Sequence, residues 1–187
     1  MAAPQMLAEQ APAGTFHSPR SREFYDYWRR LALKRGGVPL RDDLDPAEIA
    51  SLLPFLFIAE KEPDSGRFHF RLTGTGITEI MGLEHTNRYL DELLDGEDLE
   101  NVTAMFDQVL GRRVCIRSVE GLTYDDRSYV RVEILRMPMC AGAGDCRLVI
   151  GCLSRIENDC RPNSITGAVK DKQVIHIEND RLPRTAF

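Results

Sequence analysis

Long apolar runs are missing from this 187-residue chain, and no stretch approaches the roughly 20 residues that a membrane-spanning helix needs. Positive charge is also short. Lys and Arg number 24 against 29 Asp and Glu, a net charge of −5 that excludes a general phosphate-binding or anionic-membrane surface. The small basic clusters, Arg29-Arg30 with Lys34-Arg35 and Arg112-Arg113, read as a solvated helix face and a helix C-terminus. The opening "MAAPQMLAEQAPAG" lacks the charged start and apolar centre of a signal peptide, and its Ala, Pro and Gln content predicts a disordered leader over 1–17. With five cysteines, an odd number, the expectation is a cytoplasmic protein with reduced thiols.

No Cys-x-x-Cys pair occurs among Cys140, Cys146, Cys152 and Cys160. Cys146 and Cys152 would stand about 20 Å apart along one strand. Zinc draws every ligand to within about 2.3 Å, so these two cannot share an ion, and no metal site is expected. Cys140 and Cys146 flank a turn and could form a redox pair, the alternative being buried or idle thiols. No Ser/His/Asp or Cys/His set is evident, and acidic pairs such as Asp42-Asp43 and Asp125-Asp126 fall in turns, where carboxylates keep ordinary pKa values. No catalytic residue is assigned.

What is present is patterned. Ser18-Pro19 can open a helix and Gly36-Gly37 can close it. Between them Phe24, Tyr27, Trp28 and Leu31 recur at helical steps and form one apolar face. That face must be buried, and it is read as a homodimer interface, with packing on the chain's own sheet as the alternative. In "RDDLDPAEIASLLPFLFIAE", Asp45 can cap a two-turn helix with Pro46 at its first position and Glu48 returning the hydrogen bond. The strand that follows is apolar on both faces, so both faces should be covered.

Strands are expected at 55–62 and 67–74, joined by "EPDSG". In the second, Phe68, Phe70 and Leu72 alternate with His69 and Arg71, which predicts a core shared with Met105, Phe106 and Val109 of a long helix over 98–110. Short helical pieces fall at 76–81 and 87–94, and further strands at 114–124, 128–139 and 146–156. The polar tail over 158–187 is read as flexible, although its "VIHI" could add an edge strand. "GTGITE" from Gly74 begins like a dinucleotide fingerprint, but Glu79 takes the third glycine position, so a strand-to-helix turn is the preferred reading.

The order β–β, helices, β–β–β predicts an α+β fold: a five-stranded antiparallel sheet with helices on one face. A helical lead-in over 18–53 precedes a core over 54–157. The stretches "FYDYWRRL", "PLRDDLDPAEIASLLPFLFIAE", "FRLTGTGITEIMGLEHTNRYLDEL" and "LRMPM" resemble the PAS domains, specifically the PAS_5 group. The resemblance covers roughly residues 24–156 and implies a non-catalytic sensor or interaction module, whose output passes through a regulatory protein partner. It implies no common ligand, so the cofactor is left unknown. Haem and flavin are not expected: residues 98–110 hold no histidine, and the Asn-Cys-Arg-Phe-Leu signature of light-sensing relatives is absent.

In a PAS arrangement Phe70, Leu72, Met81, Tyr89, Met105, Val132, Ile134 and Ile150 could surround one cavity for a small molecule. A core filled by side chains, with an adaptor or scaffold role, stands beside it.

Overall fold

A helix with no charge-bearing cap opens the described part of the molecule. The computed structural model describes residues 16–123, 129–156 and 171–175. Helix α1, Pro19–Arg35, begins with proline at its first position and ends at Gly36, whose φ of +71° suits a residue without Cβ. The Gly37 N–H then turns back to the Ala32 carbonyl.

The chain next crosses α1 through a segment expected to be a short helix. It is instead a run of turns over 46–52 followed by a 3-10 turn, Leu53–Phe55. The physical reason lies in where the polar groups go. Asp45 Oδ1 accepts from Ala47 N–H at 2.9 Å, two residues on, and Glu48 pairs with Arg30 of α1 instead of returning a cap. Pro54 has no N–H to donate, so no α-helical hydrogen-bond ladder can run on through it. The Asp45 N–H also donates to the Tyr27 hydroxyl at 2.8 Å, so the segment is pinned to α1 while Ile49 and Leu52 are buried.

Strands β1 (Leu56–Lys61), β2 (Phe68–Thr73), β3 (Cys115–Thr123), β4 (Tyr129–Met139), β5 (Leu148–Arg155) and β6 (Asp171–Ile175) form one antiparallel sheet in the order β2-β1-β5-β4-β3-β6. The five-stranded sheet expected from the sequence is there, and β6 extends it beside β3. Val174 and Ile175 of "VIHI" belong to that added strand, so this part of the tail is sheet. Residues 1–15, the 125–127 turn and the rest of the tail lie outside the described residues. Phe16 and His17, assigned to the leader, pack and hydrogen-bond with the domain.

Helices α2 (Thr75–Met81) and α3 (Gly96–Arg112) lie on the face opposite α1. The sheet therefore has two buried faces. Leu56 and Ile58 of β1 join α1, whereas Phe57 and Ala59 join α3. The "GTG" of the apparent fingerprint is packing. A Cβ on Gly74 would come within 2.3 Å of the Pro54 carbonyl oxygen, and one on Gly76 within 2.6 Å of the Phe55 ring. These glycines let α2 approach the Leu53–Phe55 turn closely.

Phe24, Tyr27 and Trp28 are buried, and Leu31 half-buried, against the chain's own sheet; Trp28 Nε1 donates to the Pro138 carbonyl at 3.0 Å. This is the alternative to the dimer-interface expectation: β1, β4 and β5 carry enough apolar surface on this side to bury Phe24, Tyr27 and Trp28 within the chain. The thiol expectation is corrected. Cys140 and Cys146 are joined as a disulfide across the Gly142–Asp145 turn, while Cys115 and Cys152 are buried free thiols. Burial pushes the Cys115 thiol well above its ordinary range and that of Cys152 up to about 11, so both are unreactive. Among the described residues, no helix is long and apolar enough to cross a membrane.

Candidate functional site

Between the sheet and the α2/α3 layer the side chains do not close up completely. Phe57 of β1, Phe70 of β2 and Phe106 of α3 meet with ring centroids 5.9–6.4 Å apart, as offset and edge-on aromatic pairs do. The Phe57 ring lies over Gly151 of β5, where a Cβ would sit 2.1 Å from it. Beside these rings is a cavity of about 190 Å³, walled chiefly by apolar residues: Ile77 and Met81 of α2, Leu90, Leu93 and Leu94, Val102 of α3, Leu122, Ile134 and Leu153.

One end of this wall is polar. Strand β4 turns Val130, Val132, Ile134 and Arg136 to the same side, so its alternation carries a guanidinium into the apolar layer. Arg136 is only 3% exposed. Its Nη1 donates to Ser118 Oγ at 2.7 Å and its Nη2 to Glu120 Oε1 at 2.8 Å. The Ser118 hydroxyl in turn donates to Glu120 Oε1 at 2.5 Å. Burial pushes the Glu120 carboxyl up, but the Arg136 charge and the Ser118 hydroxyl more than offset it and hold it below its ordinary value. Glu120 is thus ionised at neutral pH and a poor proton donor.

Arg136 Nε–H has no partner, nor does Thr73 Oγ1, and both residues line the cavity. An unmet buried donor costs about 1–3 kcal/mol. At the mouth stand Asp98, Asn101 and His85. His85 Nδ1 donates to the Leu83 carbonyl at 2.7 Å. Burial lowers its pKa against the opposing pull of that carbonyl and of Glu84, which leaves a neutral ring with Nε2 as an acceptor.

Of the candidate pocket residues, Phe70, Met81 and Ile134 line the cavity. Met105 and Val132 are buried in the same layer but not at its wall. Leu72 is 41% exposed and does not share the core with Met105, Phe106 and Val109. A bulge in β2 explains it: Ala59 faces Phe70 while Ile58 faces Leu72, so Arg71 is an extra residue and the alternation reverses there.

Tyr89 bridges His69 at the sheet edge and points away from the cavity; its hydroxyl donates to Glu62 at 2.8 Å under the Arg67 guanidinium. Ile150 stands opposite Ile58 and packs beneath α1, because on β5 the cavity side belongs to Val149, Gly151 and Leu153. Sequence reasoning missed Arg136, Glu120, Thr73 and His85. For Arg136 the signal was available in "VRVEILRMP", where residue 136 keeps the parity of Val132 and Ile134.

Among the described residues no cysteine lines the cavity, so none of these can form a thiol adduct to a chromophore bound there. A void of this volume is also small for a three-ring flavin, since about 150 Å³ accommodates one benzene.

No curated protein matches the chain. Among solved structures it is similar to a light-oxygen-voltage domain studied with a flavin analogue, at 15% identity, covering 60% of this chain and 84% of that one with a TM-score of 0.45. The light-oxygen-voltage domain of a blue-light activated histidine kinase from Erythrobacter litoralis EL346 is 18% identical over 56% of this chain and 97% of that one, with a TM-score of 0.42. The Vibrio cholerae protein VqmA is 15% identical over 65% of this chain and 59% of that one, with a TM-score of 0.43. The PAS_5 model, described as a PAS domain, matches residues 16–154, from the Phe16 that packs beside α1 to the end of β5. The chain belongs to the PAS_5 family of PAS domains.

Proposed function

We propose that this PAS domain is a non-catalytic sensor that holds a small molecule between its sheet and the α2/α3 layer, and passes the bound state to a regulatory protein. The observation that supports it is the cavity beside Phe57, Phe70 and Phe106, whose lining includes the buried Arg136 with its Ser118 and Glu120 partners. Apolar walls with a few convergent polar groups are the usual form of a small-molecule site. An adaptor with a filled interior would need neither the void nor the buried charge. Glu120 is committed to Arg136, which speaks for binding over acid–base chemistry.

Homodimerisation through Phe24, Tyr27, Trp28 and Leu31 is not part of this reading, because α1 uses that face within its own chain. The Cys140–Cys146 bond is at odds with a reducing compartment.

Native mass spectrometry of the protein purified from its own host tests the reading. The expected result is a non-covalent adduct of low mass that is lost on mild activation. A spectrum with the bare chain alone, from protein never exposed to denaturant, would contradict it.

A further inference from the structure

Charge at the mouth of the cavity and volume behind it limit what the cavity would hold. On its wall the Arg136 and Glu120 charges cancel one another at 2.8 Å. The mouth is not neutral. Asp98 is an exposed carboxylate there, with no ion pair among the described residues. His85 has Nδ1–H engaged by the Leu83 carbonyl, so its neutral ring offers Nε2 as an acceptor. Asn101 is exposed, and its amide can turn an oxygen to the opening. All three accept.

The surroundings carry the same sign. Asp95, Glu97 and Glu100 flank Asp98 at the start of α3, and no Lys or Arg occurs from Tyr89 to Gly111. Acids at a helix start stabilise the helix itself, but of these four only Asp98 lines the cavity. The helix end contributes about half a positive charge, less than the Asp98 carboxylate alone. An anion at the mouth would be repelled. A cation would gain a partner there and keep part of its hydration, which avoids the cost of burying an ion.

Volume sets the other limit. About 190 Å³ is modestly more than the roughly 150 Å³ that holds benzene, which leaves space for one ring, or a chain of similar bulk, with one small substituent.

We infer that the ligand is a small organic amine, whose single ring or equivalent alkyl chain fills the cavity while its ammonium stays at the mouth against the Asp98 carboxylate. This rests on the sensor reading and names the ligand class for the same cavity.

The probes share one ring and differ in charge: benzylamine, a cation at neutral pH, benzyl alcohol, which is neutral, and benzoate, an anion. Each is titrated at low salt into the full chain and followed by amide shifts at Gly121 and Leu122, on the cavity wall. Benzylamine should bind tightest, by roughly fivefold over benzyl alcohol, the upper end for an ion pair open to solvent, and benzoate weakest. Asp98→Asn, an exposed change that leaves the core intact, should bring benzylamine to the level of benzyl alcohol and leave the alcohol unchanged.

Benzyl alcohol binding as tightly as benzylamine overturns the inference and leaves the sensor reading standing. Benzoate binding tightest does the same. An amine preference that survives Asp98→Asn overturns it as well, as do benzylamine shifts confined to the outer face of α3 with Gly121 and Leu122 unmoved. Binding of none of the three overturns the sensor reading, and the inference with it.

Discussion

Replacing Trp28 with alanine should lower unfolding stability by about 3–5 kcal/mol, the usual range for truncating a fully buried large aromatic. Trp28 is 1% exposed and is among the largest side chains fully enclosed in the molecule. Its removal leaves a void between α1 and strands β4 and β5, and orphans the Pro138 carbonyl that accepts from Nε1. Domains of ordinary stability have only about 5–15 kcal/mol in total, so the loss should be plain in a urea titration. Because the contact is made within one chain, the loss should be the same over a roughly hundredfold range of protein concentration. A loss that grows on dilution would move the helix to a second copy.

Glu133→Leu should cost about as much, roughly 3–5 kcal/mol, through a different mechanism. Glu133 lies on the α1 side of β4 and is fully buried. One carboxylate oxygen accepts from His17 N–H at 2.9 Å and from Arg117 Nη1 at 3.1 Å; the other accepts from Ser18 N–H at 2.9 Å. Ser18 flanks the first turn of α1 and makes no side-chain cap of its own, so the sheet supplies an anion where the helix dipole favours one. Leucine fills the space but accepts nothing. Glu133→Gln keeps one acceptor oxygen and should lose less, about 1–3 kcal/mol. Hydrogen exchange should quicken at residues 18–24 before it does in the sheet. Unchanged protection there in Glu133→Leu would show that α1 is held by its apolar face alone.

The residues differ in how openly they announce these roles. Strand β1 was legible, because "FLFIA" is apolar at every step and only a strand covered on both sides can bury it all. Phe68 and Phe70 were legible through alternation, as were Met105, Phe106 and Val109 through helical spacing. Leu72 was not, since a bulge depends on the partner strand's register, which no local pattern encodes. Ile150 failed for a related reason: "LVIGCLS" is buried on both faces, so its alternation carries no sign of which side meets α1. Tyr89 looks like a pocket residue by composition, yet its backbone pairs with His69 and fixes its side chain at the sheet edge. Arg136 was passed over because a charge inside a strand is ordinarily read as solvent-facing, whereas Glu120 and Ser118 across the ladder make its burial tolerable. The Asp45 cap failed because its partner Glu48 is taken by Arg30 from a helix earlier in the chain.

The central claim is that α1 packs against one face of the sheet while the other leaves a cavity beneath α2 and α3. Crystals of the protein held under xenon pressure test it directly, because xenon enters dry apolar cavities and packs poorly elsewhere. The account predicts a xenon peak among Phe57, Phe70, Phe106 and Leu153, with none between α1 and the sheet. Absence of xenon from that cavity, or a peak beneath α1 in its place, would contradict it.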